Sequence, residues 1–355
     1  MTATDGNRVV PALDLAALTP YLGGVVEGGL AGALRADLVA GGRSNPTYAL
    51  TDGARDWILR RPPYGEYVAS GHDMGREARV MSALVDSAVP VPRVLVHCQD
   101  ETVIGAPFYV MDRLDGRTYR TPADTATISE PERAGISASM LDTLVHLHSI
   151  EPADVGLEGW GRPDGYLQRQ VSRWGRQWEA VATAPRSEPA ELLARLTRSL
   201  PTTRFPGIVH GDYKIDNVMV AHDDPTRILG VLDWEMATLG DTLADLGVLV
   251  SFWDEAGQFF NPITQGATAL PGFPDVRGVV EGYATRRDLA IDDVDWYIVF
   301  ADFKIAVILE QIHSRHLQGT TVGDGFDGIG DMVGPLLQRA LERASAASDA
   351  ALRGA

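Results

Sequence analysis

The most informative part of the chain runs from Ile208 to Val220 and reads IVHGDYKIDNVMV. Two apolar runs flank a polar loop, which presents Asp212 and, five residues later, Asn217. A second informative segment, Val231–Glu235, reads VLDWE and supplies a further aspartate. The pattern predicts a strand, a polar loop and two more strands. For the loop alone, an ordinary β-hairpin turn is the alternative interpretation.

The polar residues of these segments suit phosphoryl transfer from a metal-bound nucleotide. Asp212 is the candidate base, since a carboxylate can accept the proton of an attacking hydroxyl. Asn217 and Asp233 are the candidate ligands of Mg²⁺, a cation that prefers oxygen donors. His210 is expected to orient the loop through its ring N–H. Lys214 is expected to neutralise the transferred phosphoryl group, and a solvated loop lysine is the alternative for it.

The segments His210–Asn217 and Val231–Glu235 together resemble the aminoglycoside phosphotransferase/choline kinase family of small-molecule kinases. The resemblance extends over residues 30–320 and is sharp in these segments. It implies an α+β, bilobal protein-kinase-like fold, with an antiparallel sheet and one helix in a small N-lobe and a mainly helical C-lobe. The lobes would span residues 1–111 and 117–355, joined by a hinge at 112–116. ATP and Mg²⁺ are the implied cofactors.

A Gly-rich turn between two predicted strands lies in the segment Ala36–Leu50. Small side chains and backbone N–H groups allow such a turn to approach phosphates closely. Ser44 and Asn45 are therefore candidate nucleotide contacts, and a plain turn is the alternative. The segment is neither G-x-G-x-x-G nor a Walker A sequence, which argues against a P-loop kinase.

A third strand is predicted over Asp56–Arg60. The resemblance implies that this strand supplies a cation to the α- and β-phosphates, either Arg60 or its neighbour Arg61. Strand alternation puts Arg60 on the same face as Ile58, which favours Arg60. Glu77, near the start of the next helix, is the candidate partner of that cation. A first-turn glutamate favoured by the helix dipole is the alternative.

The resemblance also implies an adenine site at the hinge, after the apolar strand Pro107–Met111. Asp112 C=O and Leu114 N–H would bind the base, and Met111 would line the pocket. A strand of the hydrophobic core with no ligand is the alternative.

The composition restricts the partners of the protein. The 355 residues carry 31 Lys+Arg against 48 Asp+Glu, a net charge of −17, which argues against nucleic acids and anionic membranes. Cys98 is the single cysteine, and the N-terminal residues do not form a signal-peptide pattern, so a cytoplasmic location is expected. The apolar segment Trp296–Ile312 contains charged residues and predicts a core helix. A short helix is expected over Leu13–Leu22, ending before Gly23.

The acceptor is expected to be a hydroxyl of a small molecule, and its identity stays open. The acidic composition suits a cationic amine, whereas the histidines and arginine of the segment Glu310–His316 suit an anionic compound such as a hydroxyacyl-CoA. Phe259, Phe260 and Phe273 are candidates for the roof of an acceptor site or for plain core contacts. A catalytically degenerate nucleotide-binding protein is a further alternative. Oligomeric state does not follow from the sequence.

Overall fold

A computed structural model of the chain describes residues 3–5, 8–10, 13–39, 45–64, 73–261, 263–291, 294–319, 326 and 328–354. These residues form two compact units. The first contains the described residues up to Asp115 together with Gly230–Glu235. The second contains Gly116–Leu229 and the other described residues from Met236 onward.

The first unit contains seven strands and two helices: β1 (Ala3–Asp5), β2 (Arg8–Val10), α1 (Leu15–Val25), β3 (Arg35–Leu38), β4 (Thr47–Thr51), β5 (Asp56–Arg60), α2 (Met74–Leu84), β6 (Val94–Cys98) and β7 (Phe108–Asp112). Strands β3–β7 form one antiparallel sheet in the order β3-β4-β5-β7-β6, and β1 pairs with β2.

The core of the first unit forms on one face of this sheet. In β4 and β5 every second side chain is buried, including Leu50 and Leu59, as expected for strands with one face on a core. Leu18 and Leu22 of α1 are fully buried in the same cluster.

Helix α1 extends past the predicted end. It continues through Gly23 and Gly24 and ends at Val25, so the predicted stop before Gly23 is wrong. Each glycine in a helix costs up to about 1 kcal/mol relative to alanine. Burial of Leu22 and Val26 on either side of the glycines outweighs that cost.

The second unit is mainly helical: α3 (Pro122–Thr125), α4 (Glu130–Ser149), α5 (Tyr166–Val181), α6 (Glu188–Arg198), β8 (Pro206–Val209), β9 (Val218–Val220), β10 (Ile228–Val231), β11 (Thr238–Asp241), α7 (Leu243–Ser251), α8 (Val276–Arg287), α9 (Val294–Leu317), α10 (Ile329–Ala346) and α11 (Ala350–Arg353). Strand β8 pairs with β11, and β9 forms a hairpin with β10, whose last two residues belong to the first unit.

Helix α9 is the central helix of the second unit and packs against α5, α7 and α10. The predicted core helix is confirmed, because every residue from Trp296 to Val307 is buried. Its buried charges have partners. Asp302 accepts hydrogen bonds from Arg339 (2.6 Å) and Arg343 (2.8 Å). Glu310 accepts the backbone N–H of Thr183 at 2.5 Å.

The predicted α+β class is confirmed, since one unit is built on an antiparallel sheet and the other mainly on helices. Among the described residues, no helix combines the length and the apolar character that a bilayer span requires.

Candidate active site

One buried carboxylate anchors the backbone of the loop after β8. Asp245, in the first turn of α7, accepts the backbone N–H groups of His210 (2.6 Å) and Gly211 (2.7 Å). His148 lies 3.2 Å from the same carboxylate through Nε2. Burial raises the pKa of Asp245, but the hydrogen bond and charge of His148, the charge of His210 and the Gly211 N–H outweigh it and lower the pKa. Asp245 thus supports the loop directly, and His148 supports Asp245.

The carboxylate of Asp212 is fixed by two donors. Asn217 Nδ2 donates to Asp212 Oδ2 at 3.0 Å and to the backbone oxygen of Asp212 at 2.8 Å, and Lys214 Nζ also donates to Oδ2. The side chain of Asp212 stays 24% exposed, so a substrate could reach it. Because the nitrogen of the Asn217 amide faces Asp212, the amide oxygen is the atom left for a cation.

Lys214 lies between two carboxylates. Besides Asp212, its Nζ is 3.7 Å from Asp216 Oδ1 and 5.2 Å from the centre of the Phe252 ring. Burial raises the pKa of Asp216, with Lys214 lowering it and Asp212 raising it. Lys214 is 7% exposed, so the alternative of a solvated loop lysine is wrong.

His210 is fully buried and contacts the loop through its ring. The backbone N–H of Asp212 donates to His210 Nδ1 at 3.1 Å, so this ring nitrogen acts as an acceptor and Nε2 is the nitrogen that can carry the ring N–H. Tyr213 packs edge-on against the same ring, with centroids 5.9 Å apart.

In the first unit, Arg60 forms the ion pair expected with Glu77. Arg60 Nη1 donates to Glu77 Oε2 at 2.6 Å, and the Tyr109 hydroxyl donates to the same oxygen at 2.8 Å. Burial raises the pKa of Glu77, and the charge of Arg60 offsets only part of this effect. Arg61 instead donates to backbone oxygens, including that of Ile104 at 3.1 Å, so Arg60 is the arginine that pairs with α2.

Asp233 follows β10 in a strained backbone conformation, with φ of +64°. Its Oδ1 lies 3.7 Å from Arg60 Nη2 and is buried, without a hydrogen bond from any described residue. Glu235 accepts a hydrogen bond from Asn45 Nδ2 at 3.3 Å, and the same nitrogen lies 3.4 Å from Glu77 Oε1. Asn45 is therefore part of the same polar cluster as Arg60 and Asp233.

The remaining candidates that the structure describes lie in β7 or just after it. Met111 is buried and pairs with Ile58 in the β5–β7 register. Asp112 ends β7 and donates its N–H to Arg93 O at 2.9 Å, and Leu114 is half-buried. Ser44 lies outside the described residues. The adenine-binding roles of Met111, Asp112 and Leu114 stay predictions.

Asp233 in the first unit and Asn217 in the second unit each present an oxygen donor of the kind that Mg²⁺ prefers. Nowhere among the described residues do three or more His, Cys, Asp or Glu side chains converge as a metal cluster would require. Mg²⁺ does not need one, because it keeps water and phosphate oxygens beside one or two protein ligands. The unbonded Oδ1 of Asp233 and the amide oxygen of Asn217 are oxygens of the required kind.

The sequence did not predict that Lys304 contacts the loop after β8. Its Nζ donates to the backbone oxygen of Gly211 at 2.5 Å. The signal in the sequence is an isolated lysine inside the apolar segment of α9, which marks a buried charge but does not identify its partner.

The second unit also contains a cavity of about 420 Å³ whose lining includes Trp253, Glu255, Phe259, Arg339, Glu342 and Arg343. Acidic and basic side chains offset one another there, so the cavity favours neither an anionic nor a cationic ligand. Phe259 lines it and is 43% exposed, whereas Phe273 packs edge-on against Trp253 at 5.9 Å. The two phenylalanines therefore differ in position, one at a cavity and one in a core contact.

Two relatives are much longer than this chain. Acyl-CoA dehydrogenase family member 11 of Gallus gallus is 34% identical over 323 residues, which cover 88% of this chain and 40% of that protein. Acyl-CoA dehydrogenase family member 10 of Mus musculus is 33% identical over 318 residues, which cover 88% of this chain and 29% of that protein. The chain thus spans two fifths or less of the length of these relatives.

Solved structures show the same fold. A protein of Ralstonia eutropha JMP134, provisionally named an aminoglycoside phosphotransferase, superposes with a TM-score of 0.81 at 32% identity, covering 95% of this chain and 100% of that one. A thermostable mutant of aminoglycoside phosphotransferase APH(4)-Ia, in complex with AMP-PNP and hygromycin B, gives a TM-score of 0.60 at 15% identity and covers 93% and 99% of the two chains. The predicted fold class is confirmed.

Residues 36–283 match the model of the phosphotransferase enzyme family, about 70% of the chain. The match contains the H-G-D loop, the VLDWE segment and the Arg60 strand. The chain belongs to the phosphotransferase enzyme family.

Proposed function

We propose that the protein transfers the γ-phosphoryl group of ATP, in the presence of Mg²⁺, to a hydroxyl group of a small molecule. The observation that carries the proposal is the environment of Asp212. A partly exposed carboxylate on a loop of the family is held by Asn217 and Lys214, and its backbone is held by His210. This arrangement suits a base with a fixed direction toward an incoming hydroxyl.

In the proposed reaction, the acceptor oxygen attacks the γ-phosphorus and the bond from that phosphorus to the β,γ-bridging oxygen breaks. The hydroxyl proton passes to Asp212 as the new P–O bond forms, and ADP leaves. Lys214 forms an ion pair with the same carboxylate, and its ammonium group would contact the phosphoryl oxygens when ATP binds. Asn217 and Asp233 would hold Mg²⁺, which when bound neutralises charge on the phosphates.

We assign the nucleotide phosphates to the cluster around Arg60. Arg60 is held by Glu77, and its second nitrogen faces Asp233. An arginine fixed in this way offers a bidentate donor to phosphate oxygens at little further cost in side-chain entropy. Asn45, hydrogen-bonded to Glu235, would fix the backbone that leads into β4. Met111, Asp112 and Leu114 are the proposed contacts of the adenine ring.

For the acceptor we propose a hydroxyacyl thioester of coenzyme A. The relatives that are 33–34% identical carry names of acyl-CoA dehydrogenases and are more than twice as long as the matching segment. If a kinase segment is joined to an acyl-CoA dehydrogenase segment in one chain, both segments would act on acyl-CoA compounds. The named aminoglycoside complex, at 15% identity, supports the fold alone. The degenerate alternative is disfavoured, because Asp212, Asn217 and Asp233 are all present.

The test is a set of parallel incubations with ATP and Mg²⁺, each read by mass spectrometry for the gain of one phosphoryl group. The acceptors are hydroxyacyl-CoA thioesters with the hydroxyl at different carbons, an aminoglycoside and choline. We expect phosphorylation of a hydroxyacyl-CoA by the natural chain and none by the Asp212→Asn variant. Phosphorylation of the aminoglycoside or choline alone would refute the proposed acceptor. Equal turnover by Asp212→Asn would refute the assignment of the base.

A further inference from the structure

Lys304 lies in the interior of the second unit. The residue is 7% exposed, and its neighbours along α9, Phe303 and Ile305, are almost completely buried. An ammonium group withdrawn from water raises the free energy of the folded chain unless a partner accepts its hydrogen bonds. Its presence in an otherwise apolar stretch of helix therefore calls for a specific role.

The partner of Lys304 is the peptide group between Gly211 and Asp212. Lys304 Nζ donates to the carbonyl oxygen of this peptide at 2.5 Å, and the N–H of the same peptide donates to His210 Nδ1 at 3.1 Å. The preceding N–H, that of Gly211, donates to Asp245 at 2.7 Å. Both polar atoms of the peptide that leads into Asp212 are thus fixed by side chains.

This peptide needs such fixation because a glycine precedes it. Gly211 has φ of +86°, and a Cβ at this position would lie 2.7 Å from the backbone oxygen of Met236. Glycine satisfies both restrictions, but it also leaves the backbone free to rotate. A rotation of the peptide plane would change φ of Asp212 and with it the direction of the Asp212 side chain.

We propose that Lys304 is a positioning residue for phosphoryl transfer, which holds the Gly211–Asp212 peptide so that the Asp212 carboxylate keeps its direction toward the acceptor. The proposal rests on the proposed function of Asp212 as the base. Lys304 lies on α9, 93 residues along the chain from Gly211 and outside the residues 36–283 that match the family. The family motif therefore does not contain this contact.

The charges around Lys304 make the contact sensitive to pH. The charged groups that face it are Asp212 and Lys214 from the loop, Asp245 from α7 and Arg173 from α5. The Trp174 ring of α5 lies 5.7 Å from its Nζ. Burial lowers the pKa of Lys304 to about 8, against the attraction of the two carboxylates. The ammonium thus persists at neutral pH and loses its proton as the pH rises through about 8.

The test compares the natural chain with two variants. Lys304→Met keeps an unbranched side chain that is one atom shorter and lacks the donor, and Lys304→Arg keeps a charge that does not titrate in this range. We expect Lys304→Met to lower kcat by roughly 10- to 100-fold, the effect of a displaced catalytic group, with KM for ATP within about twofold. The natural chain should lose kcat above pH 8, and Lys304→Arg should recover part of the activity without this alkaline decline. Unchanged kcat in Lys304→Met, or the same decline in Lys304→Arg, would overturn the proposal.

A second measurement does not require turnover. Hydrogen–deuterium exchange of the peptide covering residues 208–214 should become faster by at least tenfold in Lys304→Met, because the loop loses one of its anchors. Glu310→Gln is the matched control, since it alters another buried charge of α9 whose partner is Thr183. Equal exchange of the loop in Lys304→Met and Glu310→Gln would refute the anchor. Absence of phosphoryl transfer by the natural chain, with normal loop exchange, would instead refute the proposed function.

Discussion

Replacing Asp245 with asparagine should destabilise the protein and loosen the loop that follows β8. The carboxylate accepts two backbone N–H groups, from His210 at 2.6 Å and from Gly211 at 2.7 Å, and it is fully buried. A hydrogen bond to a charged group contributes about 1.5–3 kcal/mol to stability. Asparagine has a single acceptor oxygen, so it can accept only one of these two N–H groups, and without the charge. Its NH₂ group would face the other N–H, and that donor would lose its hydrogen bond. We therefore expect the free energy of unfolding to fall by about 3 kcal/mol.

The assay is urea unfolding followed by tryptophan fluorescence, combined with kcat measured on the acceptor that the screen identifies. Asp241→Asn is a matched control, because Asp241 is equally buried but accepts from Tyr297 (3.0 Å) and Leu243 N–H (3.1 Å). Both variants should lose stability, whereas only Asp245→Asn should lose kcat, by roughly tenfold or more. An Asp245→Asn variant that unfolds within about 1 kcal/mol of the natural chain and keeps its kcat would refute this reasoning.

The contribution of Asp245 to the stability of the folded chain also depends on pH, because its pKa is lower in the folded chain than in the unfolded one. The ionised carboxylate stabilises the folded chain above the ordinary value of 3.8, and this contribution is lost as pH falls through the lower pKa of the folded state. The Asp245→Asn variant lacks the group and should show a weaker dependence of stability on pH in that acid range.

Three further predictions concern the other charged groups. Asp233→Gly should raise the free energy of unfolding by about 1 kcal/mol, because φ of +64° strains an aspartate but not a glycine, and it should abolish the Mg²⁺-dependent increase in Tm with ATP; a persistent increase would exclude Asp233 as a ligand. Glu77→Gln should weaken ATP binding about tenfold in calorimetry by releasing Arg60, and an unchanged Kd would contradict the assigned role of the pair. The free energy of unfolding of the natural chain should rise with pH between about 8 and 10.5, because Lys304 binds a proton in the unfolded chain but not in the folded one. In urea unfolding measured at several pH values, Lys304→Met should lack this rise.

The polar residues of the loop after β8 could be identified from the sequence because they lie close together along the chain. Asp212, Lys214 and Asn217 lie within six residues, and their contacts with one another follow from one turn of chain. Strand alternation was also enough to favour Arg60 over Arg61, and the predicted ion pair with Glu77 is present. The role of Arg60 toward phosphates stays a prediction.

The supports of the loop were harder to predict because they come from distant segments. Lys304 is 93 residues from the oxygen that it contacts, and no local pattern indicates which of the buried carbonyls it would reach. The continuation of α1 through Gly23 was missed for a related reason. Local propensity favours a stop there, whereas the burial of Leu22 and Val26, which decides the outcome, depends on the packing of the whole unit.

The buried charges of α9 restrict how this helix can change in length. Asp302 contacts α10, Lys304 contacts the loop after β8 and Glu310 contacts the segment after α5, so three separate parts of the second unit take their position from one helix. Each residue of an α-helix advances the side-chain direction by about 100°. A one-residue insertion or deletion between Lys304 and Glu310 would rotate one contact away from the others, so gaps among homologous sequences should avoid this stretch and fall in the loops at either end of α9.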